Sequence, residues 1–327
     1  MRVDVTAEGL FLPELGVHLD PAVPVPLAVL SHGHADHARA LSAVVHATPE
    51  TVAIARARLG ETGYVPHAYG ESFELKGSGC APCRVTLLSA GHVLGSAMVV
   101  VESGGERLLY TGDVKLRPSL TCAPAEVPSC DLLVTEATFG LPVFRFPPVA
   151  ELRDAIVREA RAALEEGEVP VFLAYALGKG PEVAKVLGNA GIPVSAHGAV
   201  HNMLEIYRAF GVGFDDVVAY ERGKVSGRAL IVPPSFRAHP MVAKLARKRV
   251  VYVSGWALLD ASYDRHGADA LVPLSDHADF DELLRLVELS GARRVLTTHG
   301  FAEPFARELA RRGADAAALG LLHGDEE

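Results

Sequence analysis

The chain has 327 residues, of which 49% are hydrophobic and 22% are charged. These proportions are ordinary for a globular protein and exclude a disordered or fibrous chain. The formal net charge of −9 disfavours long-range attraction of polyanions unless basic residues or bound cations cluster locally.

The sequence lacks the features of a membrane-spanning or exported protein. No apolar run approaches the roughly 20 residues that cross a bilayer, and the first residues lack a basic segment followed by an apolar one. We therefore expect a cytoplasmic protein with no membrane partner. The cysteines match no zinc-finger spacing and are expected to be reduced thiols, with their role left open: Cys80, Cys83, Cys122 and Cys130.

The first part of the chain is predicted to be rich in β-strands. Short apolar runs such as LAVL, RVTLLS and RLLY each end in a polar or glycine-containing turn. In α/β proteins, loops that leave the ends of strands can bring side chains to one point. We therefore expect the chemistry of this chain at the ends of these strands.

The middle of the chain is predicted to be a separate α/β unit. Residues 147–167, PPVAELRDAIVREARAALEEG, are typical of an amphipathic helix with prolines at its start and a glycine after its last turn. Strand-like runs then alternate with helical ones as far as VVYVSGW, which predicts a small parallel sheet. We expect residues 1–145 and 254–327 to build one domain, with residues 146–253 inserted between them.

The strongest signal for function is SHGHADH, residues 31–37, directly after LAVL. Three histidines and one aspartate lie within six residues on a predicted turn, namely His32, His34, Asp36 and His37. Imidazole and carboxylate together favour borderline metal ions such as zinc. A solvated histidine-rich loop is the alternative, but it leaves the histidines at other strand ends unexplained.

Three further candidates follow other strands: His92 in SAGHVLGS, Asp113 in YTGDVKL and His299 in TTHGF. A single histidine after a strand is more often a hydrogen-bonded polar residue than a ligand. Together with the HxHxDH motif, these residues complete two sets of metal ligands with one carboxylate left to bridge them. The sequence therefore predicts a site for two divalent metal ions.

The order of HxHxDH, a histidine, a strand-end aspartate and a C-terminal histidine resembles the metallo-β-lactamase superfamily. The resemblance implies an αββα sandwich that carries the inserted α/β unit. It assigns the first metal to His32, His34 and His92, and the second to Asp36, His37 and His299, with Asp113 bridging. It also implies that Asp20, in GVHLDP, supports the cluster from outside the metal ligands.

Within that superfamily the chain looks most like the β-CASP nucleases, which insert a cap domain before the final histidine. Glu136 in TEATFG, His277 in SDHAD and the segment FLAYALGKGPEVAKVL match that branch. The chain most resembles bacterial proteins described as mRNA 3′-end-processing-factor-like or as DNA-ligase-associated damage-response exonucleases. The resemblance implies DNA repair or RNA processing, with a functional link to a DNA ligase or helicase. The predicted cap is shorter than in the large RNA-cleaving members.

The residues and the resemblance together predict hydrolysis of a phosphodiester. A hydroxide between the two metals would be the nucleophile, with Asp36 and Asp113 at the catalytic centre. His277 would protonate the leaving oxygen, and Glu136 would hold its imidazolium form. His277 could instead be a further metal ligand or a surface histidine, and Glu136 could instead cap backbone groups.

The predicted partner is nucleic acid, and the chain is expected to be an exonuclease on single-stranded DNA or RNA. The predicted substrate contacts are Lys115, Arg117, Lys179 and His197. A further basic cluster lies in the insert at Lys244, Arg247, Lys248 and Arg249. Zinc suits the histidine-rich ligands, with manganese or iron as alternatives. The competing hypotheses are a small-molecule hydrolase of thioesterase or lactonase type and a catalytically weak binding subunit.

Overall fold

The computed structural model describes residues 1–75, 83–259 and 261–320. In this part of the chain the strands, in order, are β1 (Asp4–Thr6), β2 (Gly9–Leu12), β3 (Val17–Leu19), β4 (Leu27–Val29), β5 (Val44–Ala47), β6 (Gly63–Pro66), β7 (Ser72–Leu75), β8 (Cys83–Ser89), β9 (Ala97–Ser103), β10 (Glu106–Tyr110), β11 (Leu132–Glu136), β12 (Val169–Leu173), β13 (Val194–Ala196), β14 (Val217–Ala219), β15 (Ala229–Val232), β16 (Lys248–Val253), β17 (Ala270–Val272), β18 (Arg294–Thr298) and β19 (Asp315–Ala318). The α-helices are α1 (Pro49–Leu59), α2 (Val149–Glu165), α3 (Lys179–Asn189), α4 (Gly198–Ala209), α5 (Pro240–Ala243), α6 (Ala261–His266), α7 (Phe280–Ser290) and α8 (Ala302–Arg311). Short 3-10 helices span Pro234–Phe236 and Gly255–Leu258.

The chain divides into two units. Unit 1 consists of Met1–Arg117, Cys122–Arg145 and His277–Glu327, and unit 2 consists of Pro118–Thr121 and Phe146–Asp276. Among the residues described, no helix combines the length and the apolar character needed to span a bilayer.

Unit 1 is a four-layered α/β sandwich. Its six-stranded sheet has the order β1-β2-β3-β4-β5-β6, and its seven-stranded sheet has the order β19-β18-β11-β10-β9-β8-β7. One apolar core fills the space between the sheets. A second core packs the seven-stranded sheet against α7 and α8, and a third packs the six-stranded sheet against α1. The αββα sandwich that the family resemblance implies is confirmed.

Strand β9 shows how the sequence specifies these layers. Ala97, Val99 and Val101 belong to the core between the sheets, whereas Met98 and Val100 belong to the core under the helices. Alternate residues of a strand point to opposite faces, so an uninterrupted apolar run is typical of a strand buried on both sides. The run AMVVV therefore places this strand inside the sandwich.

Unit 2 contains a six-stranded sheet in the order β14-β13-β15-β12-β16-β17, and every paired strand in it is parallel. Helix α2 begins directly after Pro147 and Pro148. The first N–H groups of a helix have no partner within the helix, so proline, which lacks an N–H, is tolerated there. Its buried face includes Leu152 and Ile156. The predicted small parallel α/β insert is confirmed.

The structure differs from the predicted insert of residues 146–253 in where unit 2 ends. Strand β17 pairs with β16, so the chain as far as Asp276 belongs to unit 2. A strand of three residues carries little periodic signal, which is why the sequence does not reveal it. Pro118–Thr121 also belongs to unit 2, where it hydrogen-bonds to the buried Glu182.

The cysteines in the described part of the chain are thiols outside disulfides. Cys83 and Cys130 are buried, and Cys122 is half-buried. Burial raises the pKa of Cys130 to about 11, which keeps this thiol protonated at neutral pH. Cys80 lies outside the described residues.

Candidate metal centre

Polar side chains gather in unit 1 where several strands end. The HxHxDH loop follows β4, and further candidate side chains lie at or just after the ends of β8, β10, β11 and β18. Strands β10, β11 and β18 are parallel neighbours, so their carboxyl ends meet at the same edge of the sheet. The side chains that gather there are His32, His34, Asp36, His37, His92, Asp113, Glu136, His277 and His299.

Glycines allow two of the loops to approach closely. Gly112, directly before Asp113, has a φ of 54°, and a Cβ added to it would lie 2.5 Å from the Ser31 side chain. Gly91, directly before His92, has a φ of 72°, and its Cβ would lie 2.2 Å from a backbone carbonyl oxygen. Glycine adopts such φ angles without strain, so both positions require it.

Three imidazoles and one carboxylate form the first group of converging donors. His34 Nδ1 lies 3.0 Å from His32 Nε2 and 2.9 Å from His92 Nε2. Asp113 Oδ2 lies 3.3 Å from His32 Nε2 and 3.5 Å from His92 Nε2. Donors that bind one zinc ion at about 2.0–2.1 Å in a tetrahedron lie roughly 3.3 Å apart, so these four atoms fit one ion.

Asp36, His37 and Asp113 form a second group. His37 Nε2 lies 3.3 Å from Asp113 Oδ1 and 3.7 Å from Asp36 Oδ2. This nitrogen is buried and has no hydrogen-bond partner among the described residues, as expected of an atom that binds a cation. The two oxygens of Asp113 thus face different groups, which is the arrangement of a bridging carboxylate. His299, whose φ is 57°, stacks its ring on that of His37 at 5.2 Å.

Asp20 supports the cluster through hydrogen bonds. Its carboxylate accepts hydrogen bonds from the Ser31 backbone N–H at 2.6 Å, from the Tyr110 hydroxyl at 2.8 Å and from His37 Nδ1 at 2.8 Å. The Ser31 hydroxyl also contacts Asp20 and lies 2.9 Å from His32 Nδ1. The bond to His37 fixes the proton on Nδ1 and leaves Nε2 free to bind a metal, as outer partners of ligating histidines generally do.

Burial and charge set the ionisation of the cluster. Burial alone would raise the pKa of Asp113, but the charges of nearby histidines, His37 foremost, hold it well below its usual value. The charge of His37 likewise overcomes burial and lowers the pKa of Asp36 to about 2. Burial, helped by His32, holds the pKa of His92 well below its usual value. Anionic carboxylates and a neutral imidazole are the forms that bind metal.

The negative charge around His37 also fits a cation site. Burial would lower the pKa of this histidine, but Asp113 and Asp36 raise it well above its usual value. The negative charge that attracts a proton to His37 would equally attract a metal ion.

His277 and Glu136 lie together at the edge of the cluster. His277 Nδ1 is 3.0 Å from Glu136 Oε2 and 4.0 Å from Asp113 Oδ2. Glu136 is fully buried and accepts a hydrogen bond of 2.7 Å from the backbone N–H of Val114. It therefore both caps a backbone group and orients His277. Donor atoms of Asp113, Glu136 and His277 also lie within 4.8 Å of one another, so the ligand alternative for His277 has a geometric basis.

Lys115 and Arg117 are held by the fold of unit 1. Lys115 is only 2% exposed. The Arg117 side chain donates to Asp279 and lies 3.2 Å from Glu282, and these two residues form the capping box at the start of α7. Both cations thus have a structural position, and their contact with a substrate stays a prediction.

Lys179 and His197 lie in unit 2. Lys179, 7% exposed, forms a 3.1 Å ion pair with the buried Asp276. His197 is the N-cap of α4, where its Nδ1 accepts a hydrogen bond from the Ala199 N–H at 3.1 Å. Neither arrangement tests the predicted contact with a phosphate, which stays a prediction.

The sequence did not reveal Ser31 and Tyr110 as part of the site. Ser31 directly precedes the HxHxDH motif, and Tyr110 ends β10 three residues before Asp113. Their positions close to candidate ligands in the sequence were the signal that could have found them. Their hydrogen bonds to Asp20 join residues that are far apart in the chain and therefore depend on the fold.

A protein-family model described as the metallo-beta-lactamase superfamily matches residues 6–165. The chain carries a metallo-β-lactamase superfamily domain. The predicted superfamily is confirmed, and the metallo-β-lactamase domain contains the cluster of histidine and aspartate residues that could hold metal ions.

Longer proteins are similar to this chain. It is 37% identical over 317 residues to a protein from Opitutus terrae named "Probable DNA ligase", covering 96% of this chain and 31% of the relative. It is 28% identical over 131 residues to an "RNase J-like protein" from Methanocaldococcus jannaschii, covering 37% of this chain and 31% of the relative. The chain therefore spans less than a third of the length of these curated relatives.

A solved structure shares the fold. It is the crystal structure of a protein of unknown function from Enterococcus faecalis V583, with a TM-score of 0.61 and 14% sequence identity. The match covers 85% of this chain and 76% of the other.

Proposed function

We propose that the chain is a two-metal phosphodiesterase that acts on nucleic acid, as an exonuclease on single-stranded DNA or RNA. The observation that carries the proposal is the pair formed by His277 and Glu136, whose histidine lies 4.0 Å from the Asp113 carboxylate. A metal cluster alone serves many hydrolases, whereas an oriented histidine beside it supplies a proton donor for a leaving oxygen. The names of the two relatives, a probable DNA ligase and an RNase J-like protein, support nucleic acid as the substrate class.

The donor set fits two divalent ions. The residues proposed to hold them are His32, His34, Asp36, His37, His92, Asp113 and His299. Zinc suits this histidine-rich set best, with manganese or iron as alternatives. When bound, such ions supply a water of lowered pKa and stabilise negative charge on a phosphate.

The chain's own residues would orient the reaction and move its protons. Because His277 Nδ1 faces the Glu136 carboxylate, the proton available to a leaving oxygen is the one on Nε2. Glu136 is fixed in turn by the Val114 N–H, so it cannot turn away from the histidine without leaving that group unpaired. Asp20 would hold His37 in the tautomer that binds metal.

A functional link to DNA ligation is part of the proposal. Its support is the alignment of 96% of this chain with part of a protein named as a probable DNA ligase. The β-CASP character of unit 2 is supported by the parallel sheet inserted between Asp113 and His299.

The test is cleavage of end-labelled single-stranded DNA and RNA at low salt, in zinc and in manganese. We expect metal-dependent shortening by the wild type and none by Asp113→Ala, with a product ladder that gives polarity and sugar preference. Intact polymers, together with hydrolysis of thioesters or lactones by the same preparation, would contradict the proposal and favour a small-molecule hydrolase.

A further inference from the structure

Unit 2 contains a cavity of about 830 Å³, formed by residues that play no part in the metal cluster. The end of α2 and the start of β12 form one side of it, and the loop of residues 220–227 and the region of α5 form the others. Small-molecule sites occupy pockets of about 300–1,000 Å³, so the cavity is large enough for one such ligand.

The cavity has an apolar floor. Val225 is buried there, and Val169 and Met241 line it as half-buried side chains. Tyr220 adds an aromatic ring whose other contacts are with the core of unit 2. A floor of this kind suits a flat aromatic group such as a nucleobase, whose face gains stability by stacking on an aromatic side chain.

The rim of the cavity carries positive charge that is not neutralised. Arg222 and Lys244 are exposed lining residues, and among the described residues neither has a carboxylate partner. Glu168 is the one acidic residue that lines the cavity in the described part of the chain. It lies 3.3 Å from the Arg249 guanidinium, whose positive charge neutralises its negative charge. In a chain with a net charge of −9, two unpaired cations at the mouth of an apolar pocket favour an anionic ligand.

Two glycines of the loop that carries Arg222 lie in open space beside the cavity. Gly223 and Gly227 line the cavity with φ angles of 81° and 73°, and a Cβ added to either would meet no atom within 4 Å. Successive backbone N–H groups in turns with a left-handed residue form concave anion sites, and the positive φ angles of both glycines are compatible with such a turn.

We propose that this cavity binds a nucleoside phosphate, with the base on the apolar floor near Tyr220 and the phosphate at Arg222 and Lys244. The assignment does not depend on the reaction proposed for the metal centre, because every group that it uses lies in unit 2.

The test measures equilibrium binding to the full chain after dialysis against a chelator, so that bound metal does not capture the phosphate. The probes are AMP, adenosine and inorganic phosphate, titrated by calorimetry. We expect AMP to bind at one site, with adenosine and phosphate each at least roughly tenfold weaker, since each offers only half of the contacts.

Charge variants locate the site. Arg222→Ala and Lys244→Ala should each weaken AMP binding by roughly 5- to 30-fold, a range discounted for their exposure. Lys224→Ala is the matched control, since Lys224 lies in the same loop but pairs with Glu221 and does not line the cavity. It should leave AMP affinity unchanged.

Three results would overturn the proposal. They are an absence of AMP binding at millimolar concentration, binding that both charge variants leave intact, and adenosine binding as tight as that of AMP. Thermal unfolding of each variant shows whether it is folded, and the exposure of both side chains predicts that it is.

Discussion

Replacing Asp20 by asparagine tests how the metal ligands are oriented. One oxygen of Asp20 accepts hydrogen bonds from His37 Nδ1 and from the Tyr110 hydroxyl, each at 2.8 Å, and the other accepts from the Ser31 N–H at 2.6 Å. Asparagine has one oxygen and one NH2 group. In one orientation its NH2 group would face the Ser31 N–H, and in the other it would face the donors of His37 and Tyr110. The charge-assisted bond to His37 is also lost, which costs about 1.5–3 kcal/mol.

We expect Asp20→Asn to lower zinc affinity by roughly 10- to 100-fold, the effect typical of removing an outer partner of a ligating histidine. The assay is competition with a chromophoric chelator, with urea unfolding of the metal-free protein measured in parallel. Tyr110→Phe is the control, because it removes one donor to the same oxygen and keeps the charge and the bond to His37. It should cost about 1 kcal/mol of stability and change zinc affinity less than about threefold.

Two results would contradict this role of Asp20. A folded Asp20→Asn protein with wild-type zinc affinity would show that the carboxylate does not orient His37. An equal loss of affinity in Tyr110→Phe would show that general loosening of the site, not the tautomer of His37, is responsible.

Three further substitutions give separate tests. His277→Ala should lower turnover by roughly 10²- to 10⁴-fold while bound metal, measured by elemental analysis, stays unchanged; loss of metal would instead make His277 a ligand. Arg117→Ala should lower the free energy of unfolding in urea by about 2–3 kcal/mol, because it leaves the buried Asp279 carboxylate without its cation, and an unchanged value would contradict the capping role. Gly112→Ala should lower the stability of the protein more than Gly104→Ala does. Both glycines have a positive φ, but only at Gly112 would the new Cβ meet a side chain. Equal urea denaturation midpoints for the two variants would contradict close packing at Gly112.

The metal cluster could be predicted from the sequence because its central part is local. His32, His34, Asp36 and His37 lie within six residues on one turn, so their spacing alone brings them together. The more distant members could be predicted because each follows an apolar strand, and parallel strands bring their carboxyl ends to one edge. The sandwich was expected only from the family resemblance, and the apolar run of β9 agrees with it because its residues alternate between two cores.

The positions of the cations could not be predicted in the same way. Arg117 and Asp279 are 162 residues apart in the chain, and Lys179 and Asp276 are 97 residues apart. Whether a lysine or arginine is exposed or paired depends on partners that only the fold brings near, and a sequence without that information shows only the charge. The end of unit 2 at Asp276 escaped prediction for a similar reason, since β17 is recognised only by its pairing with β16.

A metal titration with two readouts tests the proposed two-metal nuclease most directly. Metal-free protein is titrated with zinc or manganese while bound metal and cleavage of end-labelled single-stranded DNA and RNA are followed together. We expect cleavage to rise with bound metal, to reach its maximum at two ions per chain, and to be absent from Asp113→Ala, which lacks the carboxylate proposed to bridge them. Wild-type protein that holds two ions and leaves both polymers intact would contradict the proposal.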